Sequence, residues 1–195
     1  MKERGMIFNG EMVRALLSGR KTQTRRPIKW KQTRFTEIGE REDGSYWPWS
    51  EDAEHACDFW HPCPFGAVGD RIWVREAFAS GLSTKSTLSY RATHKREDLE
   101  DGFYDTIKWT PSIHMPRWAS RILLEITGVR VERLQSITLG DICKEVGCGL
   151  YDFRPATYGF QVWEELWKSI YGAESWNANP WVWVIEFKRV EGGAA

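Results

Sequence analysis

Residues 181–187 read Trp-Val-Trp-Val-Ile-Glu-Phe, an almost unbroken run of β-branched and aromatic residues near the end of the chain. Side chains of these types favour extended structure, because they pack well on a pleated surface. Since nearly every position is apolar, the pattern predicts a strand whose two faces are both buried.

Three other segments predict strands. Residues 71–78 form a second β-branched and aromatic run, and residues 88–92 are a weaker candidate. In residues 121–134 the apolar positions alternate, and their phase slips by one residue at Gly128. Such a slip is typical of a long strand that is interrupted by a bulge or a bend.

Three segments predict helices. Asn9 is a good N-cap residue, and the apolar stripe that follows it ends before Gly19. Thr138 can cap a second helix, and a third carries an apolar stripe over residues 160–171 and stops at Gly172. Strands therefore outnumber helices, and regular β-α-β alternation is not seen.

This order of elements predicts an α+β fold, with a mixed, mostly antiparallel β-barrel, an N-terminal helix and two later helices. We predict one domain over residues 1–195, with irregular insertions at about 35–66 and 93–118, where periodicity is lost. Order in the first insertion must come from its aromatic residues, which are Trp47, Trp49, Phe59 and Trp60.

The charges are balanced in number but unevenly distributed. Lys plus Arg and Asp plus Glu both number 27, so the field of the whole molecule does not favour a polyanion. Residues 1–34 contain ten Lys or Arg and two acids, whereas residues 36–58 contain eight acids and one Arg. A basic start is thus followed by an acidic insertion.

Targeting signals are not evident in the sequence. There is no signal peptide and no apolar run of about 18 residues or more, and the four Cys lack the spacing of a disulfide framework. These features predict a cytoplasmic protein without a membrane span. We expect no cofactor and no obligate protein partner.

Residues 16–26, here called the signature segment, read Leu-Leu-Ser-Gly-Arg-Lys-Thr-Gln-Thr-Arg-Arg. This segment resembles the Gly-Arg-Lys-Thr-x-Thr-x-Arg signature of the ASCH family. Residues 63–76, 137–145 and 183–187 resemble further stretches of the longer bacterial and phage-borne members of that family.

The resemblance implies a PUA-like barrel with a cleft between the barrel and its helices, and a role in binding RNA or modified nucleosides. Some small members of the family hydrolyse the amide of N4-acylcytidine, and some have been described as ribonucleases. In the amidohydrolases a Lys and a Thr of the signature act with a Glu. This implies Lys21, Thr24 and Glu145 as catalytic residues here.

The residues themselves suit amide hydrolysis, which needs a nucleophile, a base and a charge that holds the oxyanion. Thr24 would be the nucleophile, Lys21 the base and Glu145 the supporting acid. A lysine acts as a base only when burial or neighbouring cations lower its pKa. In a straight strand Lys21 and Thr24 point to opposite faces, so catalysis requires a turn or bulge within residues 21–24.

Two other interpretations of the segment remain open. Arg20, Arg25 and Arg26 offer N–H donors that suit phosphate oxygens, and nearby indoles can stack bases. Alternatively, the charges form a solvated basic loop. Further candidates for contact with a nucleoside or RNA are Trp73, Arg75, Glu76, Tyr90 and Trp118.

Several of these candidates also have structural explanations. Arg75 and Glu76 can form an ion pair that orders the barrel, or Glu76 can replace Glu145 as the functional carboxylate near Lys21. His114 is a possible acid–base partner in a ribonuclease, although a loop contact is the more frequent role of such a histidine.

Four possible metal ligands lie within nine residues of the first insertion. Their spacing differs from that of zinc knuckles, so we predict no metal site. The four are His55, Cys57, His61 and Cys63.

Overall fold

The computed structural model describes residues 1–29, 37–52, 57–81, 87–99, 107–149 and 152–190. The strands in these ranges are β1 (Glu3–Ile7), β2 (Gln23–Pro27), β3 (Glu37–Glu40), β4 (Tyr46–Asp52), β5 (Cys57–Trp60), β6 (Arg71–Arg75), β7 (Phe78–Ser80), β8 (Leu88–Tyr90), β9 (Leu123–Arg133) and β10 (Trp181–Arg189). The helices are α1 (Gly10–Leu17), α2 (Leu139–Val146), α3 (Ala156–Tyr171) and α4 (Ala173–Asn177).

Five strands form the main sheet, in the order β1-β6-β9-β10-β2. β1 is parallel to β6, and the other neighbours are antiparallel. The two outer strands approach each other where the Arg26 side chain of β2 donates to the Ile7 carbonyl of β1, at 2.8 Å. The sheet therefore curls toward closure, and the predicted α+β fold with a mixed, mostly antiparallel sheet is confirmed.

β10 is buried on both faces, as its composition predicts. Trp183 and Ile185 belong to a core that α1 joins through Leu16, whereas Val184 belongs to a second core with Trp163 of α3. Because side chains alternate along a strand, β10 separates the two cores. The same alternation divides the side chains of its neighbour β2, which carries much of the signature segment.

The predicted strand over residues 71–78 is two strands. β6 ends at Arg75, while β7 begins at Phe78 and pairs with β8 in a separate sheet. Between them, both carboxylate oxygens of Glu76 accept from Arg121, at 2.9 and 3.0 Å. The sequence run hides this change of sheet, because β6 and β7 have the same kind of composition.

β9 confirms the long strand that was predicted over residues 121–134, together with its interruption near Gly128. Its pairing with β10 shifts between Glu186, which faces Gly128, and Phe187, which faces Ile126. Thr127 is thus the extra residue of a bulge, at the point where the apolar phase slips.

The first insertion is more regular than expected. β3, β4 and β5 form an antiparallel sheet within it, and Trp49 faces Trp60 across β4 and β5. Trp47 packs edge-on against Trp183 of β10, with ring centroids 5.0 Å apart. Acids, Gly and Pro hide the strand pattern, whereas cross-strand indole contacts supply the order.

All three predicted helices are present, and α4 follows α3 directly. Asn9 caps α1 by accepting from Met12 N at 2.9 Å, and Thr138 caps α2 by accepting from Asp141 N at 3.1 Å. In the described ranges, no helix has the length and apolar character needed to cross a membrane.

Candidate functional site

The ends of α1 and α2 fix the start of the signature segment. The Lys21 backbone N–H donates to the Ala15 carbonyl of α1, and the Thr22 N–H donates to the Lys144 carbonyl of α2, both at 3.1 Å. α2 ends at Gly147, whose φ of 79° is a left-handed conformation that glycine adopts without strain. Lys21 is thereby held between the two helices.

The Lys21 amine is fully buried and has three acceptors. It donates to the Gln23 carbonyl at 2.7 Å, to the Glu145 carbonyl at 2.6 Å and to Glu145 Oε2 at 3.1 Å. Burial lowers the pKa of Lys21 from its ordinary value, although the charge and hydrogen bond of Glu145 oppose this change. The predicted association of Lys21 with Glu145 is therefore present.

Arg25 joins the same group from β2, and its side chain is fully buried. Its Nη1 lies 3.3 Å from Glu145 Oε1, and its Nη2 lies 3.0 Å from Glu132 Oε2 and 3.5 Å from Asp141 Oδ2. Gln23 fits between them when its amide nitrogen donates to Asp141 and its oxygen accepts from Arg25. Arg25 therefore neutralises carboxylates inside the protein.

Arg130 of β9 extends the group toward the surface. Its side chain is 33% exposed and binds Glu132 at 2.5 Å, Glu186 at 2.6 Å and Asp141 at 3.4 Å. Burial alone would raise the pKa of Asp141, but a hydrogen bond from Thr138 and the neighbouring cations hold that pKa below its ordinary value. We call this group the ionic cluster, and its members are Lys21, Arg25, Arg130, Glu132, Asp141, Glu145 and Glu186.

Thr24 lies on the other face of β2. Gln23 and Arg25 face the ionic cluster, so alternation directs the side chain between them to the opposite face, where Ile185 is its partner in the register. In the part of the chain that the structure describes, no hydrogen bond joins Thr24 to Lys21 or Glu145. Two of the three residues implied as catalytic are thus together, and Thr24 is apart from them.

Arg26 stands beside a cavity of about 430 Å³, which we call the Arg26 cavity. Its Nη1 donates to the Tyr171 hydroxyl at 3.3 Å, and its guanidinium lies 5.4 Å from the centroid of the Phe8 ring. No carboxylate is among the described residues that line the cavity, which are Arg26, Pro27, Lys29, Pro64, Phe65 and Tyr171. The cavity therefore combines aromatic walls with positive charge.

Glu76 lies in a different group from Lys21. Its two bonds to Arg121 make a bidentate pair in which the Glu76 side chain is buried and Arg121 is partly exposed. Arg121 also stacks on Tyr90, with the guanidinium carbon 3.9 Å from the ring centroid. The Tyr90 hydroxyl donates to the Ala119 carbonyl at 2.9 Å. The interpretation of Glu76 as the carboxylate beside Lys21 is therefore corrected, as is its pairing with Arg75.

Arg75 instead reaches the Ile113 carbonyl and lies over the ring of Trp73, 5.4 Å from its centroid. Trp73 in turn covers Gly5, where an added Cβ would lie 2.6 Å from the indole. These contacts give Trp73 and Arg75 a structural role, because both side chains pack against neighbouring parts of the fold.

Three remaining candidates are exposed. Arg20 donates to the Ser18 hydroxyl at 2.9 Å, and Trp118 is 68% exposed. His114 ends the short helical turn Ser112–His114, and in the described ranges no hydrogen bond joins it to the signature segment. In the described ranges, no side-chain hydrogen bond joins Arg20, Trp118 or His114 to Lys21 or Glu145.

The sequence analysis missed most partners of the ionic cluster. Arg130 and Glu132 are polar positions in the alternation of β9, so they lie on the same face of the predicted strand. Two opposite charges on one face are the signal that could have revealed them. It also missed Lys29, Phe65 and Tyr171 around the Arg26 cavity, because they come from three distant parts of the chain.

Not all of the four possible metal ligands of the first insertion lie within the described ranges. His55 lies outside them, and His61 Nε2 is 2.9 Å from the Ser50 hydroxyl. Among the described residues, no group of three or more His, Cys, Asp or Glu side chains is arranged to hold a metal ion.

Comparison with known proteins gives one structural similarity. No protein-family model matches the chain, and no curated protein matches it either. The chain is similar in fold to the ASCH domain from Lactobacillus crispatus JV V101, known from a high-resolution crystal structure. The sequence identity is 12% and the TM-score is 0.45, and the match covers 96% of this chain and 79% of that chain.

Proposed function

We propose that this protein binds a nucleoside phosphate or RNA, and that the Arg26 cavity receives the base. The observation that carries this proposal is the combination of Phe65 and Tyr171 with Arg26 and Lys29 around one cavity, with no described carboxylate in its lining.

The physical basis is stacking combined with charge. A base placed against an aromatic ring gains roughly 1–3 kcal/mol from stacking, whichever base it is. Its phosphate would meet Lys29, which is exposed, and the guanidinium of Arg26, which is already oriented by Tyr171 and the Ile7 carbonyl. A cavity of about 430 Å³ falls within the usual range for small-molecule sites.

The test compares cytidine 5′-monophosphate with cytidine in equilibrium binding by calorimetry. Lys29→Gln should weaken binding of the nucleotide by about fivefold and leave the uncharged nucleoside unchanged, because only the nucleotide presents a phosphate. Phe65→Leu keeps apolar volume but removes the aromatic face, so it should weaken binding of both ligands.

The matched control is Lys188→Gln. Lys188 is an exposed lysine on β10 that pairs with Glu125 at 3.0 Å and does not line the cavity. Equal losses for Lys29→Gln and Lys188→Gln would show that only general charge matters, and that result would contradict the proposed site.

A second candidate function is hydrolysis of the amide of N4-acylcytidine. The observation that favours it is the buried Lys21 amine, whose pKa is lowered by burial and which is held against Glu145. A lowered pKa makes a lysine a better base near neutral pH. Lys21, Thr24 and Glu145 are all buried, so the substrate would have to open a path to them. Since Thr24 lies on the opposite face of β2, catalysis also requires β2 to rearrange and bring the Thr24 hydroxyl to the Lys21 amine.

Thr24→Val tests this second function most cleanly. The change removes the candidate nucleophile and keeps the shape of the side chain, without leaving a buried charge unpaired. Release of cytidine from N4-acetylcytidine should stop in Thr24→Val and continue in Thr22→Val, since Thr22 is exposed in the same segment. Turnover that survives Thr24→Val, or its absence from the unsubstituted protein, would remove the enzymatic proposal.

A further inference from the structure

A second, larger cavity of about 770 Å³ adjoins the Arg26 cavity. We call it the Arg41 cavity. Pro64 lines both cavities, which therefore meet at the loop that joins β5 to β6. The Arg41 cavity brings together the start of β1, the sheet of the first insertion and this loop.

The described lining of the Arg41 cavity has an excess of positive charge. Lys2, Arg4 and Arg41 contribute three cations, and Asp70 contributes one carboxylate. Asp70 is already engaged, because it accepts from Lys2 N at 2.7 Å, from Ala67 N at 3.2 Å and from Arg4 at 3.3 Å. A ligand in this cavity therefore meets three cations and a single lining carboxylate, which already accepts several hydrogen bonds.

Arg41 is held in a defined orientation by two indoles. Its guanidinium carbon lies 4.3 Å from the Trp47 ring centroid and 5.1 Å from that of Trp60. Trp47 is itself fixed, since its Nε1 donates to the His61 carbonyl at 2.7 Å. Contacts with indole faces use the flat sides of a guanidinium, and its N–H donors lie in the plane, where they suit a phosphate group.

Cys63 gives the cavity no reactive thiolate. Burial raises the pKa of Cys63 to about 11, so its side chain is a neutral thiol at physiological pH. The chemistry of this cavity is therefore that of binding an anion beside aromatic rings.

We propose that the two cavities hold one single-stranded oligonucleotide, which crosses Pro64 with a base in the Arg26 cavity and its neighbouring phosphates in the Arg41 cavity. This inference rests on the proposed function and deepens it, because it names a strand of several nucleotides as the ligand. A single strand fits better than a duplex, since a base can enter a cavity only when it is unpaired and unstacked.

The experiment measures fluorescence anisotropy at low salt with labelled oligocytidylates of increasing length, up to about eight nucleotides, in RNA and DNA forms. The unlabelled mononucleotide is measured by calorimetry. The longest strand should bind at least about tenfold more tightly than the mononucleotide, because additional phosphates reach the Arg41 cavity.

Arg41→Gln should remove most of this gain with length and leave mononucleotide binding unchanged. Lys2→Gln is the second variant, because Lys2 engages Asp70 through its backbone and its side chain can be changed without loss of that bond. Arg96→Gln is the matched control, since Arg96 is an exposed arginine that lines neither cavity. Thermal unfolding of each variant shows whether it is folded.

The outcomes separate the two proposals. A protein that binds the mononucleotide without any gain for longer strands overturns the two-cavity proposal and leaves the proposed function in place. The same conclusion follows if Arg41→Gln and Lys2→Gln behave like Arg96→Gln. A protein that binds neither mononucleotide nor oligonucleotide overturns both. A gain for RNA alone assigns the strand to RNA, and equal gains assign it to single strands of either kind.

Discussion

Arg25 and Arg26 are neighbours in the sequence and lie in opposite environments. Arg25 is fully buried in the ionic cluster with Glu132, Asp141 and Glu145. Arg26 is half-buried beside an aromatic cavity, and in the described ranges its side chain donates hydrogen bonds to the Tyr171 hydroxyl and the Ile7 carbonyl. Alternation along β2 produces this difference, because it sends successive side chains to opposite faces.

A run of basic residues in the sequence therefore does not act as one positive patch in the folded protein. Lys21 and Arg25 are neutralised inside the protein and position α2 against β2. Arg26 and Lys29 keep their charge available to a ligand. Substitutions in the two regions should therefore differ in kind, with stability affected in the ionic cluster and binding affected at the cavities.

The largest effect is expected from Glu145→Gln. The change leaves the buried Lys21 and Arg25 without their shared carboxylate, so the free energy of unfolding should fall by roughly 3 kcal/mol. Urea denaturation measures this loss. Glu164→Gln on α3 is the matched control, because its pair with Lys168 is exposed and should be worth about 0–1 kcal/mol. Similar losses in both variants would show that the ionic cluster is not a stabilising core.

Gly147→Ala should cost about 2 kcal/mol of unfolding free energy. Gly147 has a φ of 79°, and an added Cβ would lie 2.8 Å from the Ala15 side chain of α1. The substitution thus disturbs the contact between helix ends that holds Lys21. Gly147→Ala combines a strained φ with a steric clash, whereas Gly19→Ala tests the strained φ alone. Gly19 has a φ of 73° with open space around it, so its substitution should cost about 1 kcal/mol. A larger loss for Gly19→Ala would contradict this account.

Asp141→Asn should have a smaller effect, roughly 1 kcal/mol near neutral pH, together with a change in pH dependence. The folded protein holds the pKa of Asp141 below its ordinary value, so this carboxylate stabilises the fold above an unfolded pKa of about 4. That contribution is lost as the pH falls through the folded pKa. Unfolding curves recorded from neutral pH down into the acid range should therefore decline less steeply for Asp141→Asn, and parallel declines would oppose the assignment.

The smallest effect on stability is expected from Lys29→Gln. Because Lys29 is exposed, the free energy of unfolding of the Lys29→Gln protein should change by less than about 0.5 kcal/mol, while nucleotide binding falls. Chemical denaturation and calorimetry on one preparation measure both quantities. A large loss of stability would place Lys29 with the ionic cluster and erase the contrast between the two regions.

Much of the secondary structure could be predicted because local patterns decide it. The apolar run of residues 181–187 and the caps Asn9 and Thr138 identify β10, α1 and α2 from neighbouring residues alone. The sheet of the first insertion was not predicted, since its order comes from indole contacts across strands. The break after Arg75 was missed because it depends on Arg121, which is 45 residues from Glu76 in the sequence.

The candidate site was predicted in part. Lys21 and Glu145 are 124 residues apart, and the resemblance of two separate motifs placed them together, where the structure also has them. The separation of Thr24 from Lys21 agrees with the side-chain alternation expected of a straight strand, which counts against catalysis. The burial of Arg25 and the partners of Arg26 could not be predicted, because each depends on which face of β2 meets which neighbour.

Local sequence patterns specify the types of α1, α2, α3, β9 and β10, the caps of two helices, the bulge in β9 and the concentration of basic residues ahead of an acidic insertion. These properties depend on residues close together in the chain. Which cations are neutralised and which face a cavity depends on tertiary contacts, because burial and pairing are set by side chains that distant strands and helices bring together.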